Sequence, residues 1–333
     1  MSKYTVAVVG ATGVVGQEII KTLEQRKFPV KELVCLTSAR SEGTRIEFNG
    51  KYSISRILDE NSFEGVDYAL FSAGGSISEK FAPIAVKAGA VVIDNTSHFR
   101  MDPSVPLVVP EVNAQAVKKH KGIIANPNCS TAQMVLALKP LHDAAKIKRV
   151  VISTYQSVSG AGKEAIKELE SQTRHNLQGK PSEAKQFTKD IAFNVIPHID
   201  VFEDNGYTKE EMKMILETQK ILEDDTIKLT ATTVRVPVFI GHSEALNVEL
   251  SEELPIEKVR DLLRNMPGVV VMDNPSKNEY PTPKLLAGRD ETFVGRIRKD
   301  ISNPKAIDMW VVSDNLRKGA ALNAVQIAEE LIK

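Results

Sequence analysis

Thr5-Val-Ala-Val-Val9 runs straight into Gly10-Ala-Thr-Gly13-Val-Val-Gly16, and Ile19, Ile20 and Leu23 then fall on one face of a helix. A β-branched run, a glycine-rich turn and a helix in that order form a strand–turn–helix unit. The first glycine permits the tight turn, the second lets the backbone approach a pyrophosphate, and the third lets helix and strand pack closely. The helix start then offers free N–H groups and the positive end of its dipole to phosphate oxygens. Gly10, Thr12, Gly13, Val14, Val15 and Gly16 are therefore expected to hold a dinucleotide, although a tight turn without a ligand would have the same backbone needs. The alternation continues outward from this unit. Residues 32–36, 68–71, 91–94 and 122–125 read as short apolar strands, and 78–88 as a helix. Such spacing predicts a parallel sheet covered on both faces, a Rossmann-like α/β domain.

The end of the second strand bears on which dinucleotide binds. Domains for NAD usually place Asp or Glu there, to hold the ribose 2′-hydroxyl. Here Leu33-Val-Cys-Leu36 runs into Thr37-Ser-Ala-Arg-Ser41 with no carboxylate at the turn; Glu42 comes just after it. Ser38, Arg40 and Ser41 offer hydroxyls and a guanidinium fork, which suit a 2′-phosphate and predict NADP. Ser72, Ala73 and Gly74 follow the strand at 68–71, where a dinucleotide crosses the carboxyl edge of such a sheet.

At 333 residues the chain has room for about two domains. Lys and Arg total 43 and so do Asp and Glu, which disfavours nucleic acid and a polybasic membrane anchor. No basic segment followed by an apolar stretch of signal length opens the chain, and no apolar run approaches the roughly 18 residues of a membrane span. The expectation is a cytoplasmic protein with reduced thiols. Its two cysteines, Cys35 and Cys129, form no disulfide framework, and no ligand cluster calls for a metal.

The character changes near Thr131. Residues 132–144, 160–176, 208–222, 255–265 and 320–331 read as helices, and 149–158, 230–239, 245–250, 292–298 and 309–313 as strands. The polar stretch 178–190 reads as a loop. This half fits an α+β domain better than further βαβ units. The division expected is 1–129 with a returning C-terminal helix 316–333 for the NADP-binding domain, and 130–315 for the second domain.

Asn126-Pro-Asn-Cys129-Ser-Thr131 precedes the helix at 132, with Ser130 or Thr131 as its expected cap. Cys129 then lies at a helix N-terminus, where the dipole favours a thiolate. Cys35, inside Leu33-Val-Cys-Leu36, reads as inert core. A nucleophilic Cys needs an acid or base nearby. Of six histidines, His242 differs from the rest, because it follows the apolar stretch Val234-Arg-Val-Pro-Val-Phe-Ile-Gly241. Arg235 is a lone charge in that stretch and needs a carboxylate or phosphate partner, or a structural ion pair. Gln156 ends another strand, before the turn Ser157-Val-Ser-Gly-Ala-Gly162.

Together these residues resemble the aspartate-β-semialdehyde dehydrogenases, over essentially the whole chain. The resemblance rests on the glycine turn, Asn128-Cys-Ser-Thr131, Gln156, Ser159-Gly-Ala-Gly162, Glu210-Glu-Met-Lys213, Val234-Arg-Val-Pro237, Gly241-His242 and Gly319-Ala-Ala-Leu-Asn323. It implies NADPH-dependent reductive dephosphorylation of β-aspartyl phosphate to aspartate semialdehyde, in the biosynthesis of lysine, methionine and threonine. Cys129 is implied as the nucleophile that forms a thioester, His242 as acid/base, and Gln156 as the residue orienting the intermediate. Arg235 is implied on the substrate carboxylate and Glu210 on its amine. Lys213, Arg100 and Asn128 are implied on the phosphate, although Glu210 and Lys213 also fit an ordinary i,i+3 pair. The segment Ser72 to Ser76, Ser159, Gly160, Gly162 and Asn323 are implied on the cofactor. A homodimer through the second domain is implied, with its interface expected within 166–205. The alternatives are N-acetyl-γ-glutamyl-phosphate reductase, a catalytically silent NADP-binding homologue, and an NADP reductase without covalent catalysis.

Overall fold

Strand β1 (Tyr4–Val9) sends Val6 and Val8 to one side and Ala7 and Val9 to the other, and all four are fully buried. A strand buried on both faces must be sandwiched between helices. That follows here from α1 (Val14–Gln25), β2 (Val30–Thr37), β3 (Arg45–Phe48), β4 (Lys51–Ile54), β5 (Arg56–Ile57), β6 (Tyr68–Phe71), α2 (Gly75–Lys87), β7 (Val91–Asp94), α3 (Pro110–Asn113) and β8 (Ile123–Ala125). The computed structural model describes residues 3–333 and divides into two units, Met1–Asn128 with Ala320–Lys333, and Cys129–Gly319.

In the first unit six parallel strands run in the order β5-β2-β1-β6-β7-β8. The chain direction across the sheet reverses between β1 and β6, the place where doubly wound sheets bind ligands at their carboxyl edge. On one face Val6, Val8, Ile19, Leu23, Leu70 and Ile124 form a core with Ala324, Val325 and Ala328 of the C-terminal helix. On the other, Ala7, Val9, Leu36, Ala69 and Phe71 pack with Phe81, Ala82 and Ala85. Cys35 lies in the first of these cores, and burial pushes its thiol up to about 11. The strands at 68–71 and 91–94 have the bounds expected from sequence. The antiparallel pair β3–β4 was not foreseen; its turn, Asn49-Gly50, has positive φ at both residues, as a tight hairpin requires.

The second unit contains α4 (Cys129–Ala145), β9 (Ile147–Gln156), α5 (Lys163–Leu177), α6 (Lys209–Leu222), β10 (Lys228–Arg235), β11 (His242–Leu250), α7 (Ile256–Arg264), β12 (Val269–Val271), α8 (Pro283–Leu286), β13 (Thr292–Lys299) and β14 (Ala306–Ser313); α9 (Leu322–Leu331) returns to the first. Its mixed sheet has the order β10-β9-β11-β14-β13-β12, parallel at β9–β10 and β12–β13 and antiparallel elsewhere. On β9, Val150, Ile152, Thr154 and Gln156 are buried while Tyr155 is exposed, so one face carries the helices. Two expectations need correction. Helix α4 begins at Cys129, so Ser130 and Thr131 lie within its first turn and do not cap it from outside. The strand expected over 230–239 ends at Arg235, before Pro237, which has no N–H to give a ladder. As a result His242 opens β11 and does not close the preceding strand. Among the described residues no helix is long and apolar enough to cross a membrane.

Candidate active site

Cys129 is partly exposed at the first position of α4, and Gly319 lies against it. A Cβ on Gly319 would come within 2.7 Å of the Cys129 Cβ, so no side chain fits there. The same unit supplies the other polar groups. Parallel pairing sets Arg235 beside Gln156 at the carboxyl ends of β10 and β9. Arg235 is buried and donates through Nη1 to the carbonyl of Ser157 at 2.7 Å. Burial pulls its pKa down, while the negative charges of Glu210 and Cys129 act the other way.

His242 is fully buried. Its Nδ1 lies 3.1 Å from both the backbone N and the Oγ of Ser157. A backbone N–H only donates, so Nδ1 accepts and the neutral ring carries its proton on Nε2. Nε2 itself has no hydrogen-bond partner among the described residues. Burial, and after it the charge of Arg235, hold the pKa of His242 well below its usual range. Gly160 makes this crowding possible. A Cβ there would sit 3.0 Å from Arg235 Nη1 and 3.2 Å from His242 Nε2.

Helix α6 starts with a complete capping box, in which Thr208 accepts from Glu211 N–H and Glu211 accepts from Thr208 N–H. The other oxygen of Glu211 accepts from Thr233 N–H at 2.9 Å, which ties the helix start to β10. So fixed, the neighbouring Glu210 is buried and accepts from Gln156 Nε2 at 3.1 Å. Gln156 Nε2 also donates to Ser130 Oγ. Lys213 bridges Glu210 at 3.2 Å and Asp200 at 2.7 Å, so it is more than the surface i,i+3 pair that its spacing allows. Asp200 sits at φ +68°; burial opposes its charge, but its hydrogen bond with Lys213 and lesser contributions keep its pKa below the usual value.

The structure thus brings Cys129, Gln156, Glu210, Lys213, Arg235, His242 and Gly160 into one unit. Ser159 and Gly162 belong to it too. Ser159 Oγ lies 3.1 Å from Asn315 Oδ1, and Gly162 has φ +93° with open space around it. Arg100, Asn128 and Asn323 belong to the first unit. Arg100 donates to the carbonyls of Asn126 (2.8 Å) and Asn95 (2.7 Å), and Asn323 Nδ2 to Val108 O and Asn126 Oδ1. Sequence reasoning missed Ser157 and Asn315. Asn315 is buried, and its Oδ1 gathers Ser157 Oγ, Ser159 Oγ and Gly241 N–H, so it holds the His242 turn in place. The pair Asp314-Asn315 directly after an apolar strand was the available signal.

The first unit fits a dinucleotide. A Cβ on Gly16 would lie 2.1 Å from the Gly10 carbonyl oxygen, so that glycine is demanded by strand–helix packing alone. No side chain caps α1 or α2, whose starts follow β1 and β6 on either side of the reversal. Gly74, at φ +104°, has nothing within 4 Å of a Cβ position, so space is left beside Ser72 and Ala73. Ser38 and Arg40 are exposed after β2, Ser41 is half-buried, and Thr12 and Thr37 share a hydroxyl contact at 3.1 Å.

Comparison with known proteins agrees. Residues 5–120 match the semialdehyde dehydrogenase NAD binding domain, and 138–318 the semialdehyde dehydrogenase dimerisation domain. The aspartate-semialdehyde dehydrogenase of Aquifex aeolicus is 60% identical over 99% of this chain and 98% of its own length.

The chain belongs to the aspartate-semialdehyde dehydrogenase family.

The crystal structure of aspartate semialdehyde dehydrogenase II from Vibrio cholerae, complexed with ASA, superposes with a TM-score of 0.97 at 52% identity, covering 100% of this chain and 99% of that one. The Candida albicans aspartate semialdehyde dehydrogenase, solved with NADP, superposes at 0.76 with 26% identity and covers 99% of each chain. As an aspartate-semialdehyde dehydrogenase, the chain is an oxidoreductase of aspartate-family amino-acid biosynthesis that uses NADP. The reading as an N-acetyl-γ-glutamyl-phosphate reductase gives way to that membership.

Proposed function

We propose that this aspartate-semialdehyde dehydrogenase works through a thioester on Cys129, with β-aspartyl phosphate as its acyl donor. The Cys129 thiolate attacks the acyl carbonyl; the carbon–sulfur bond forms, the carbon–oxygen bond to phosphate breaks, and phosphate leaves. Hydride addition to the thioester, the chemistry NADPH supplies when bound, leaves a thiohemiacetal on Cys129. Its collapse frees aspartate semialdehyde and regenerates the thiolate. The observation that carries this reading is the unpartnered Nε2–H of His242, fixed by Ser157 and set against Gly160 beside Arg235.

His242 donates that N–H to the tetrahedral oxygen and accepts in the reverse direction. Arg235 presents its planar fork to the substrate α-carboxylate, and Glu210 its carboxylate to the amine. Gln156, held by Ser130 and Glu210, orients the acyl group. Lys213 takes the phosphate. When NADP binds, the uncapped starts of α1 and α2 would hold its pyrophosphate, through Gly10, Thr12, Gly13, Val14, Val15 and Gly16 and through Ser72, Ala73 and Gly74. Ser38, Arg40 and Ser41 hold the 2′-phosphate.

The units correspond to an NADP-binding domain with a returning C-terminal helix and a catalytic and dimerisation domain. Exposed Phe193, Val195, Val201 and Phe202 support a homodimer interface within 166–205. The balanced charge and the pathway fit a cytoplasmic enzyme. The test is oxidation of aspartate semialdehyde by NADP with and without phosphate, in the natural chain and in Cys129→Ser. Phosphate-dependent activity that Cys129→Ser abolishes is expected; phosphate-independent turnover, or a fully active Cys129→Ser, overturns the thioester route.

A further inference from the structure

Three strands of the second unit present polar groups in two rows on the face that carries the helices. The outer row is Arg235, Gln156 and His242. Side chains two residues apart on a strand share a face, so one step deeper lie Thr233, Thr154 and Glu244. Their register is direct, with Thr233 opposite Thr154 in the parallel pair and Thr154 opposite Glu244 in the antiparallel one. All three are fully buried. The mechanism uses none of them.

Glu244 is the costliest of the three to bury. Neither of its carboxyl oxygens has a hydrogen-bond partner of normal geometry among the described residues, and Thr154 Oγ1, Thr233 Oγ1 and Gln133 Oε1 lack one as well. Among the described residues no ion pair to it is found, and burial pushes its carboxyl well above the usual range, with only Gln133 acting in the opposite sense. An isolated carboxylate in such a place gives up its charge.

Gln133 supplies the link to the reacting groups. It lies one helical turn beyond Cys129 on α4, and its Nε2 is 3.4 Å from the His242 carbonyl oxygen. Turning the amide over would set two oxygens against each other there, so Nε2 is committed to that carbonyl and the unpartnered Oε1 is the end left to accept a hydrogen bond. An ionised Glu244 has no proton to offer Oε1. A neutral one has a donor for Gln133 and an acceptor for Thr154, so Glu244, Gln133 and Thr154 can all be satisfied together.

We propose that Glu244 is a positioning residue held as a neutral carboxylic acid, whose O–H donates to Gln133 Oε1 and so joins the Cys129 helix, one turn in, to the strand that begins with His242. The inference rests on the roles proposed above for Cys129 and His242. Within it, Glu244 exchanges no proton with substrate; it holds the nucleophile and the acid at a fixed separation. A loosened link changes kcat and leaves KM in place, because the groups that grip the substrate stand in the outer row.

The experiment has a spectroscopic and a kinetic arm, both on the full chain. Infrared spectra of the natural enzyme at neutral pH, with the Glu244→Gln variant subtracted, are expected to show the carbonyl band of a protonated carboxylic acid. A carboxylate band in its place overturns the proposal whatever the activity does, so this arm is independent of the thioester route. Glu244→Gln keeps an N–H donor for Gln133 and is expected to hold kcat within about threefold, whereas Glu244→Leu and Gln133→Met are expected to lower kcat about tenfold to a hundredfold at nearly constant KM. If Glu244→Leu does not fold, Gln133→Met decides this arm. A folded Glu244→Gln that loses kcat as far as the leucine variant, or a Gln133→Met with natural kcat, overturns the proposal. Full activity in Cys129→Ser would instead indict the thioester reading on which it rests.

Discussion

The backbone N–H of Ser157 donates to Nδ1 of His242 across 3.1 Å. This bond sets the tautomer, and burial, with the charge of Arg235 after it, pulls the pKa of the ring well below its usual range. His242 should therefore stay neutral throughout the neutral range. In NMR spectra its ring signals are expected not to titrate between about pH 6 and 8, where an ordinary histidine does. The sign of the stability effect follows. The folded pKa lies below the unfolded one, so the unfolded chain binds the extra proton as pH falls. The contribution of His242 to stability is present above the unfolded pKa of about 6.5 and is lost as pH drops below it. Denaturant midpoints should fall more steeply through that window in the natural chain than in His242→Gln. Equal slopes would contradict the assignment.

Gly160→Ala tests the crowding beside His242. The added methyl would meet Arg235 and His242 at 3.0–3.2 Å, and both must shift. Gly160 is exposed and its φ is not positive, so little stability is at stake; kcat/KM should fall roughly tenfold to a hundredfold, as displacements of a fraction of an ångström at a reacting centre do. A natural kcat/KM would show that the pair has room to spare.

Asp200 competes for Lys213. With its Nζ held at 2.7 Å by Asp200 and at 3.2 Å by Glu210, Lys213 must exchange a carboxylate for phosphate. Asp200→Asn keeps the shape and removes the competing charge. The KM for phosphate in the oxidative direction is expected to fall severalfold, roughly the worth of one partly exposed ion pair. An unchanged KM would mean that Asp200 and phosphate do not share the ammonium.

Arg40 stands exposed on the single helical turn after β2. Removing a charge-assisted contact worth about 1.5–3 kcal/mol should raise the KM for NADP roughly tenfold to a hundredfold in Arg40→Ala and leave the KM for NAD nearly unchanged. A parallel loss with both cofactors would assign Arg40 to folding.

Much of the first unit was legible because local signals agreed with the tertiary outcome. The strands at 68–71 and 91–94 are short, apolar and bounded by turn residues. Helix starts were less legible. Val14 and Val15 resemble strand more than helix, and the first turn of α1 forms because Gly13 and the strand before it set the chain direction. In the same way, Cys129 begins α4 although serine and threonine follow it. Within the site, Cys129, His242 and Arg235 stood out as residues whose chemistry did not suit their neighbours in sequence. Ser157 acts through its backbone N–H, which has no letter in the sequence, and Asn315 lies far along the chain from the turn it holds. Glu244 is in step with Leu246, Val248 and Leu250 on β11, but its charge argues against a core position, and the register against Thr154 with its full burial shows that it faces inward.

Cys35 has a practical consequence. Closed in the core with its thiol pushed up to about 11, it will not react with maleimides or aromatic disulfides while the chain is folded. Only one other sulfhydryl exists per chain. Equivalents of reagent consumed under native conditions therefore count accessible Cys129 thiols, the proposed nucleophiles, directly. The same stoichiometry lets a fluorophore, a spin label or a covalent inhibitor be installed at a single defined position without engineering a cysteine-free background.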